Sequence, residues 1–366
     1  NKSVSYTYKP GGRLKTRTWA RGSGSIVTTY KYDPNTAELL NINYTDATPG
    51  IGFTYDRLGR QETITDAVGT RTFNYSPETL DLNYVSITQD ASFSGSGLYN
   101  RTVTRKYDTY GRSTGFYMGT DYDVTYGYEN KTGRFKSVSH NTAGSQKTAT
   151  YYYVPKSNLI QRLEIGSGVT NDIVTTYLYE PERNLKTIVK NESPGITSPL
   201  ISQYKYTYDD IGRRTFVENT GTAFSQDAFS KYGYNNRSEL IGSNRYLGTD
   251  TTNTSMPVDP ETRIYTYDNI GNRKTAIEHT LLNTYNTNKL NQYDHTTDGQ
   301  IKNPAYDDDG NMTDYSGRKY TYNAENRLIA VEPETPAAGD KKVKFVYDYM
   351  GRRVKKTVFV WNTSWT

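Results

Sequence analysis

The side chains best suited to chemistry are few and scattered. His140, His279 and His295 are the only imidazoles, and the chain has no cysteine. His279 and His295 stand sixteen residues apart with His140 far upstream, which is no recurring metal-ligand spacing. Without a thiolate no zinc site can be completed from them. The densest acidic stretch is Asp307-Asp308-Asp309-Gly310-Asn311. Its Asp307-x-Asp309-x-Asn311 spacing resembles the opening of a calcium loop. The match then fails, because Met312 stands where the loop needs glycine and Arg318 where it needs a bidentate glutamate. A turn is the simpler reading. No P-loop, dinucleotide fingerprint, His-Glu-x-x-His helix or nucleophile elbow is present. Glycoside hydrolysis needs two carboxylates about 5–10 Å apart, and no motif marks such a pair. What does recur is an aspartate four residues before an arginine: Asp56 with Arg60, Asp209 with Arg213, Asp348 with Arg352. These pairs suit turn order and hairpin register. Aromatic rings beside arginine can stack on sugars or peptide cations, and they serve equally as contacts between neighbouring hairpins. No residue is assigned a catalytic, cofactor-binding or metal-binding role.

The elements that carry these residues repeat. Phe53-Thr-Tyr55-Asp56-x-x-Gly59-Arg60, Tyr206-Thr-Tyr208-Asp209-x-x-Gly212-Arg213, Tyr265-Thr-Tyr267-Asp268-x-x-Gly271-Asn272 and Phe345-Val-Tyr347-Asp348-x-x-Gly351-Arg352 are copies of one unit. Residues i and i+2 of a strand share a face, so each aromatic pair sets two rings on one side of a sheet. The aspartate starts a turn, and the glycine supplies the left-handed residue that closes it. Positive φ is therefore expected at Gly59, Gly111, Gly212, Gly271, Gly310 and Gly351. Alternation resumes after the turn, as in Arg213–Glu218 and Arg352–Phe359. Each copy predicts one β-hairpin. Tyr55, Tyr128, Tyr153, Tyr179, Tyr208, Tyr234, Tyr267 and Tyr347 should take equivalent positions on one face. Tyr107 fits with Arg105 as first member, and Tyr293 and Tyr306 read as weaker copies. The spacing clusters near 25 residues, in the range of a repeat array. Thr275–Leu290 is the best helical candidate, for a short turn at most. The stretches 92–100, 191–199, 248–260 and 333–340 read as surface loops. No internal boundary is drawn: residues 1–366 form a single array, read as a segment of a longer protein.

The Tyr-Asp-x-x-Gly-Arg copies resemble the YD or RHS (rearrangement hot spot) repeat family. It includes bacterial polymorphic toxins, shell components of insecticidal toxin complexes, wall-associated proteins and teneurins. The resemblance runs from about Tyr6 to Val360. It implies an all-β array of hairpins spiralling into a curved or hollow shell. Members of the family often end in an autoproteolytic core with an Asp-Pro-x-Gly-type motif and then a toxin domain. Asp33-Pro34 and Asp259-Pro260 lack the following glycine, so protease activity is not implied.

Composition limits the remaining classes. Hydrophobic residues make up 34% and mean hydropathy is −0.84, below the apolar share of about 45–50% usual for globular domains. Yet 36 tyrosines argue against disorder and suit a thin sheet covered by amphipathic rings. Lys and Arg number 44 against 39 acids, a net charge of +5 without a basic run, so a nucleic-acid surface is not expected. No apolar stretch is long enough to span a membrane as a helix. Three readings remain open. One is a non-catalytic shell segment, secreted or at the cell surface, that encloses or presents a passenger domain of the same polypeptide, a toxin by resemblance. Another is a surface structural or adhesive protein that binds glycans or partner proteins. The third is an enzyme acting on polysaccharide. No cofactor is implied. Tyr6 and Tyr8 open the chain inside a repeat and Phe359, Trp361 and Trp365 crowd its end. Repeat arrays need polar terminal caps, so the chain is expected to continue or to self-associate through its terminal hairpins.

Overall fold

The computed structural model describes residues 2–90, 100–120, 122–142, 145–167, 171–197 and 199–366. Among the described residues the chain is all β apart from short 3-10 turns at Arg21–Gly24 and Asp259–Glu261. One 25-stranded sheet runs from Ser5–Tyr8 to Ile301–Lys302, and a six-stranded sheet from Ala305–Tyr306 to Arg353–Val360. Pairing follows chain order and is antiparallel, strand to next strand, as in Ile51–Tyr55 with Gln61–Asp66 and Leu200–Tyr208 with Arg214–Thr220. Residues 91–99, most of the first long connection, lie outside the described residues.

The repeat sets the local geometry. In each hairpin the register slips at the second tyrosine: between Thr54 and Tyr55, Thr207 and Tyr208, Thr266 and Tyr267, and Val346 and Tyr347. Such a bulge leaves one extra residue on the returning strand and sharpens the local twist. The turn that follows is stapled by its first side chain. Asp56 Oδ1 accepts from the N–H groups of Leu58 and Arg60, and the N–H of Gly59 donates to the Asp56 carbonyl. Gly59, Gly212, Gly271 and Gly351 then carry φ of +77°, +85°, +94° and +78°, a region that a Cβ disfavours by roughly 1–2 kcal/mol. Gly111 and Gly310 are also positive. Where glycine is absent, Ser238, Asn291 and Asn326 take the left-handed position instead. The residue between the two rings faces the other way and is often threonine. Thr54 pairs with Thr63 at 2.8 Å and Thr266 with Thr275 at 2.6 Å through their hydroxyls.

Two details differ from the sequence reading. Residues 275–290 are not helical: Arg273–Glu278 and Leu281–Thr287 are strands joined at a tight turn with His279 at φ +56°. Tyr293 does not mark a repeat. It opens the returning strand Tyr293–Thr297, and the marker register belongs to Thr287, after Tyr285.

Contacts gather the chain into two compact units, Asn1–Arg105 with Lys302–Thr366, and Lys106–Ile301. Both have thin cores. The fully buried side chains include Ile64, Ala324 and Thr28 in the first, and Phe229, Ala228 and Ala276 in the second. Tyrosine hydroxyls and arginine heads therefore do much of the holding.

Candidate functional site

Most repeats reach backward with a tyrosine. The hydroxyl of Tyr208 donates to the Lys186 carbonyl at 2.6 Å, which is the first residue of the preceding returning strand. Tyr55 does the same to Leu39, Tyr128 to Ser113, Tyr153 to Phe135, Tyr179 to Ile160, Tyr234 to Arg214, Tyr267 to Leu240 and Tyr347 to Leu328, at 2.5–2.9 Å. Each bond satisfies a strand-end carbonyl that the ladder leaves open, worth about 0.5–1.5 kcal/mol. Burial pushes the phenols of Tyr55, Tyr179 and Tyr267 above their usual range.

Several repeats also reach forward with an arginine. Arg60 Nε donates to Asp56 Oδ2 at 2.7 Å, its plane lies 4.0 Å from the Tyr75 ring centre, and Nη1 donates to the Leu80 carbonyl of the next turn. Arg213 repeats this with Asp209, the Tyr234 ring and the Asn235 carbonyl. Arg134 does so with Glu129, Tyr153 and the Ser157 carbonyl. Burial works against the charge of Asp56 and Asp209, but the N–H groups and guanidinium of Arg60 and Arg213 outweigh it, so both carboxyls sit below the usual carboxylate range. Asp268 is held low chiefly by the Asn272 amide. Two arginines do this work from outside the expected position. Arg183 and Arg237 stand two residues before Leu185 and Glu239, and they donate to the carbonyls of Asp209 and Asp268. The arginine is shifted by two, so a scan for Gly-Arg passes over it.

In the first unit a second set of contacts joins residues about 300 apart in sequence. The turns of the six-stranded sheet, which hold Asp307–Asn311, Asn323–Arg327 and Asp348–Arg352, dock on the first hairpins. Arg21, 8% exposed, bonds Asn326 Oδ1 and the Asn323 carbonyl, and lies 3.6 Å from both Asp307 and Asp309. The fully buried carboxylate of Asp309 accepts from the Ala20 N–H at 2.8 Å. Arg17 meets Glu325 at 2.7 Å, and Trp19 Nε1 donates to the Ala324 carbonyl at 2.6 Å. Farther along, Arg71 bridges Asp66 at 2.6 Å and Asp348 at 3.6 Å, and the Tyr349 N–H donates to Asp66 at 2.8 Å. Asp348 is held below the usual carboxylate range by Arg352 and Arg71 against the opposing effect of burial. The acidic stretch that resembled a calcium loop is thus half of an arginine clasp, with Lys2 bonded to Asp308. No group of three or more His, Asp or Glu side chains able to hold a metal occurs among the described residues.

No family model matches the chain. Over 99 residues it is 39% identical to the tRNA nuclease WapA of Bacillus subtilis and 38% to the tRNA3(Ser)-specific nuclease WapA of Bacillus spizizenii. Those matches cover 26% of the chain and 4% of each nuclease. In solved structures its fold recurs in the TcdB2-TccC3-Cdc42 crystal structure, at a TM-score of 0.73 and 17% identity over 97% of the chain and 19% of that one. It recurs also in the Tc holotoxin pore of Photorhabdus luminescens, at 0.68 and 16% over 96% and 19%. At such identities the structural likeness establishes the fold, a β-hairpin array matched along nearly the whole chain. With the Tyr-Asp-x-x-Gly-Arg copies in register along that array, and the partial match to WapA, the chain resembles the RHS/YD-repeat family.

Proposed function

We propose that the chain is a non-catalytic wall segment that encloses a passenger domain of the same polypeptide, a toxin by family resemblance, in a secreted or cell-surface protein. The observation that carries this reading is the reciprocal latch: one tyrosine reaching back and one arginine reaching forward, copy after copy. Such a device makes a continuous sheet stiff without committing side chains to a reaction centre. The fold shared with the Tc holotoxin pore and the partial match to WapA, itself a nuclease, support a toxin-associated role. No helix among the described residues is long and apolar enough to cross a membrane. The arginine clasp gives the wall a point at which it can be opened by substitution.

Limited proteolysis of the gene product that contains this chain tests the reading. Polypeptide flanking the array should resist protease in the native protein and be cut at least tenfold faster once Arg21→Ala and Arg71→Ala loosen the clasp. Equal cleavage rates in the two proteins would exclude enclosure.

A further inference from the structure

The last hairpin of the six-stranded sheet gathers charge that the sequence keeps apart. Lys341–Tyr347 pairs with Arg353–Val360, setting Lys341 against Val360, Val343 against Val358 and Phe345 against Lys356. Between residues 341 and 356 it carries seven Lys and Arg side chains against the single carboxylate of Asp348, more positive charge than the net +5 of the whole chain. Directly paired residues share a face, as do residues i and i+2 of a strand. Lys341 and Lys356 therefore stand on one face with Val358 and Val360. Arg353 joins them, its guanidinium 5.0 Å from the Phe345 ring centre. All five side chains are exposed, the valines at 46% and 41%. Lys342 is paired with Glu332 at 2.5 Å and Arg352 with the buried Asp348 at 2.7 Å. Lys341, Arg353 and Lys356 make no ion pair among the described residues. The neighbouring strands add Arg318 and Lys319 against Glu332 and Glu334, so the excess stays positive. Lysine on an outer strand discourages pairing with another chain. That accounts for Lys355 and Lys356, but Lys341, Lys342 and Lys344 stand on the strand inside it.

We propose that this face docks on an anionic phospholipid bilayer. Exposed cations interleaved with apolar side chains suit an interface where headgroup charge overlies acyl chains. Val358 and Val360 enter the headgroup boundary, while Lys341, Arg353 and Lys356 meet the phosphates. The make-up of the hairpin favours lipid over other polyanions. Nucleic acid would be gripped by exposed rings on which bases stack. The strand rings here are half-buried and lie beneath cations, Phe345 under Arg353 and Phe359 under Lys344 at 5.5 Å. An acidic protein would be met by arginine forks aimed at its carboxylates. Arg352 is instead spent on Asp348 and Arg353 rests on Phe345. The remaining exposed charges are lysines, mobile point charges that suit a fluid surface. The docking face is independent of whether the array encloses a passenger.

Vesicle sedimentation tests it, with phosphatidylcholine vesicles and with vesicles in which phosphatidylglycerol replaces part of the phosphatidylcholine. The chain should bind the mixed vesicles roughly tenfold more tightly or better, and added salt should release it. Each cation at such a surface contributes about fivefold in affinity, so Lys341→Gln with Lys356→Gln should weaken binding about 25-fold. Lys131→Gln with Lys156→Gln removes the same charge from exposed turns of the second unit and should change binding by less than about threefold. Val358→Ser with Val360→Ser should weaken binding severalfold with the charge unchanged. Circular dichroism and the melting midpoint identify a variant that fails to fold, in which case Lys356→Glu alone decides, with an expected loss of about tenfold or more. Equal binding to the two kinds of vesicle, unchanged binding in a folded variant of the docking face, or an equal loss in the second-unit variant would each overturn the proposal. So would equally tight binding of a single-stranded oligonucleotide or a poly-glutamate peptide at the same salt.

Discussion

Removing the Arg21 charge should release the last repeats from the first. Arg21→Met keeps the aliphatic stem and deletes the guanidinium, leaving Asp309 fully buried with the Ala20 and Arg21 N–H groups as its donors. Breaking a buried ion pair by removing one partner typically costs about 3–5 kcal/mol, because the other charge stays uncompensated. A unit of about 170 residues shifts its melting midpoint by about 2–4 °C per kcal/mol. The first unit should therefore melt roughly 6–20 °C lower. Asp309→Asn removes the stranded charge and keeps an acceptor for Ala20, so the double variant should recover much of the loss. A coupling energy of about 1.5–3 kcal/mol is expected from the cycle. Hydrogen exchange resolved by segment locates the effect. Protection should fall in Lys302–Thr366 and in Leu14–Thr18, while Lys106–Ile301 keeps its own. A midpoint change under about 2 °C with no coupling would show that apolar packing around Ala324, not the arginine, holds the turns in place.

The latch can be tested one atom at a time. Tyr208→Phe deletes the bond to the Lys186 carbonyl and should cost about 0.5–1.5 kcal/mol, whereas Tyr208→Ala also leaves a void and should cost on the order of 1–3 kcal/mol; thermal melts compare them, and equal midpoints for both variants and the parent would refute the latch. Acid should weaken the array through its turns. Asp56, Asp108, Asp209 and Asp348 all have lowered folded-state values, so below the unfolded carboxylate value of about 4 the unfolded chain binds more protons than the folded one. Their contribution is complete above that pH and is lost as pH falls through the folded values. The melting midpoint should be flat between about pH 5 and 7 and drop below about pH 4.

How legible the molecule is in its sequence depends on how local each feature is. Tyr206, Tyr208, Asp209 and Gly212 lie within seven residues, and their strand period and turn chemistry act within that span, so the hairpin array could be read directly. Where the marker itself is replaced, reading by tyrosine goes astray. Thr287 took the tyrosine position, and Tyr293 on the next strand was read as a copy in its stead. The 275–290 stretch misleads for a related reason: apolar Ala276 and Ile277 recur four to six positions on, as Leu281 and Leu282, because a tight turn separates two strands, and that loosely imitates helical spacing. The contacts that join the first hairpins to the last turns have no signal of this kind. Arg21 and Asp309 are 288 positions apart, and Asp66 and Tyr349 are 283 apart. Nothing in either local sequence names its partner. Arg17, Arg21 and Arg71 differ from Arg60, Arg112, Arg213 and Arg352 in lacking an aspartate four residues before them, but Arg134, Arg183 and Arg237 lack one too and still serve their own turns.

That difference bears on how a repeat array acquires function. An arginine with its aspartate four residues upstream is spent on its own turn and on the next ring. An arginine without one takes another nearby carboxylate, as Arg134 does with Glu129 and Arg183 with Glu180, or finds its acceptor at a distance. Arg21 and Arg71 found theirs in the last turns and became clasps. Arg273 found none: Asn272 keeps Asp268 occupied, and Thr287 withdraws the ring that would have filled the space. Loss of two wall-building side chains, one from each of two successive repeats, costs their junction a latch, while the hairpin ladder on either side, from Tyr265 paired with Ala276 to Tyr285 paired with Thr296, holds the gap open. The regularity of the ladder makes such a vacancy well shaped. Thr287→Tyr returns a ring to that junction and keeps every charge, so it tests whether the vacancy weakens the wall. The substitution should raise the melting midpoint of the second unit; an unchanged or lower midpoint would show that the missing ring costs the wall nothing.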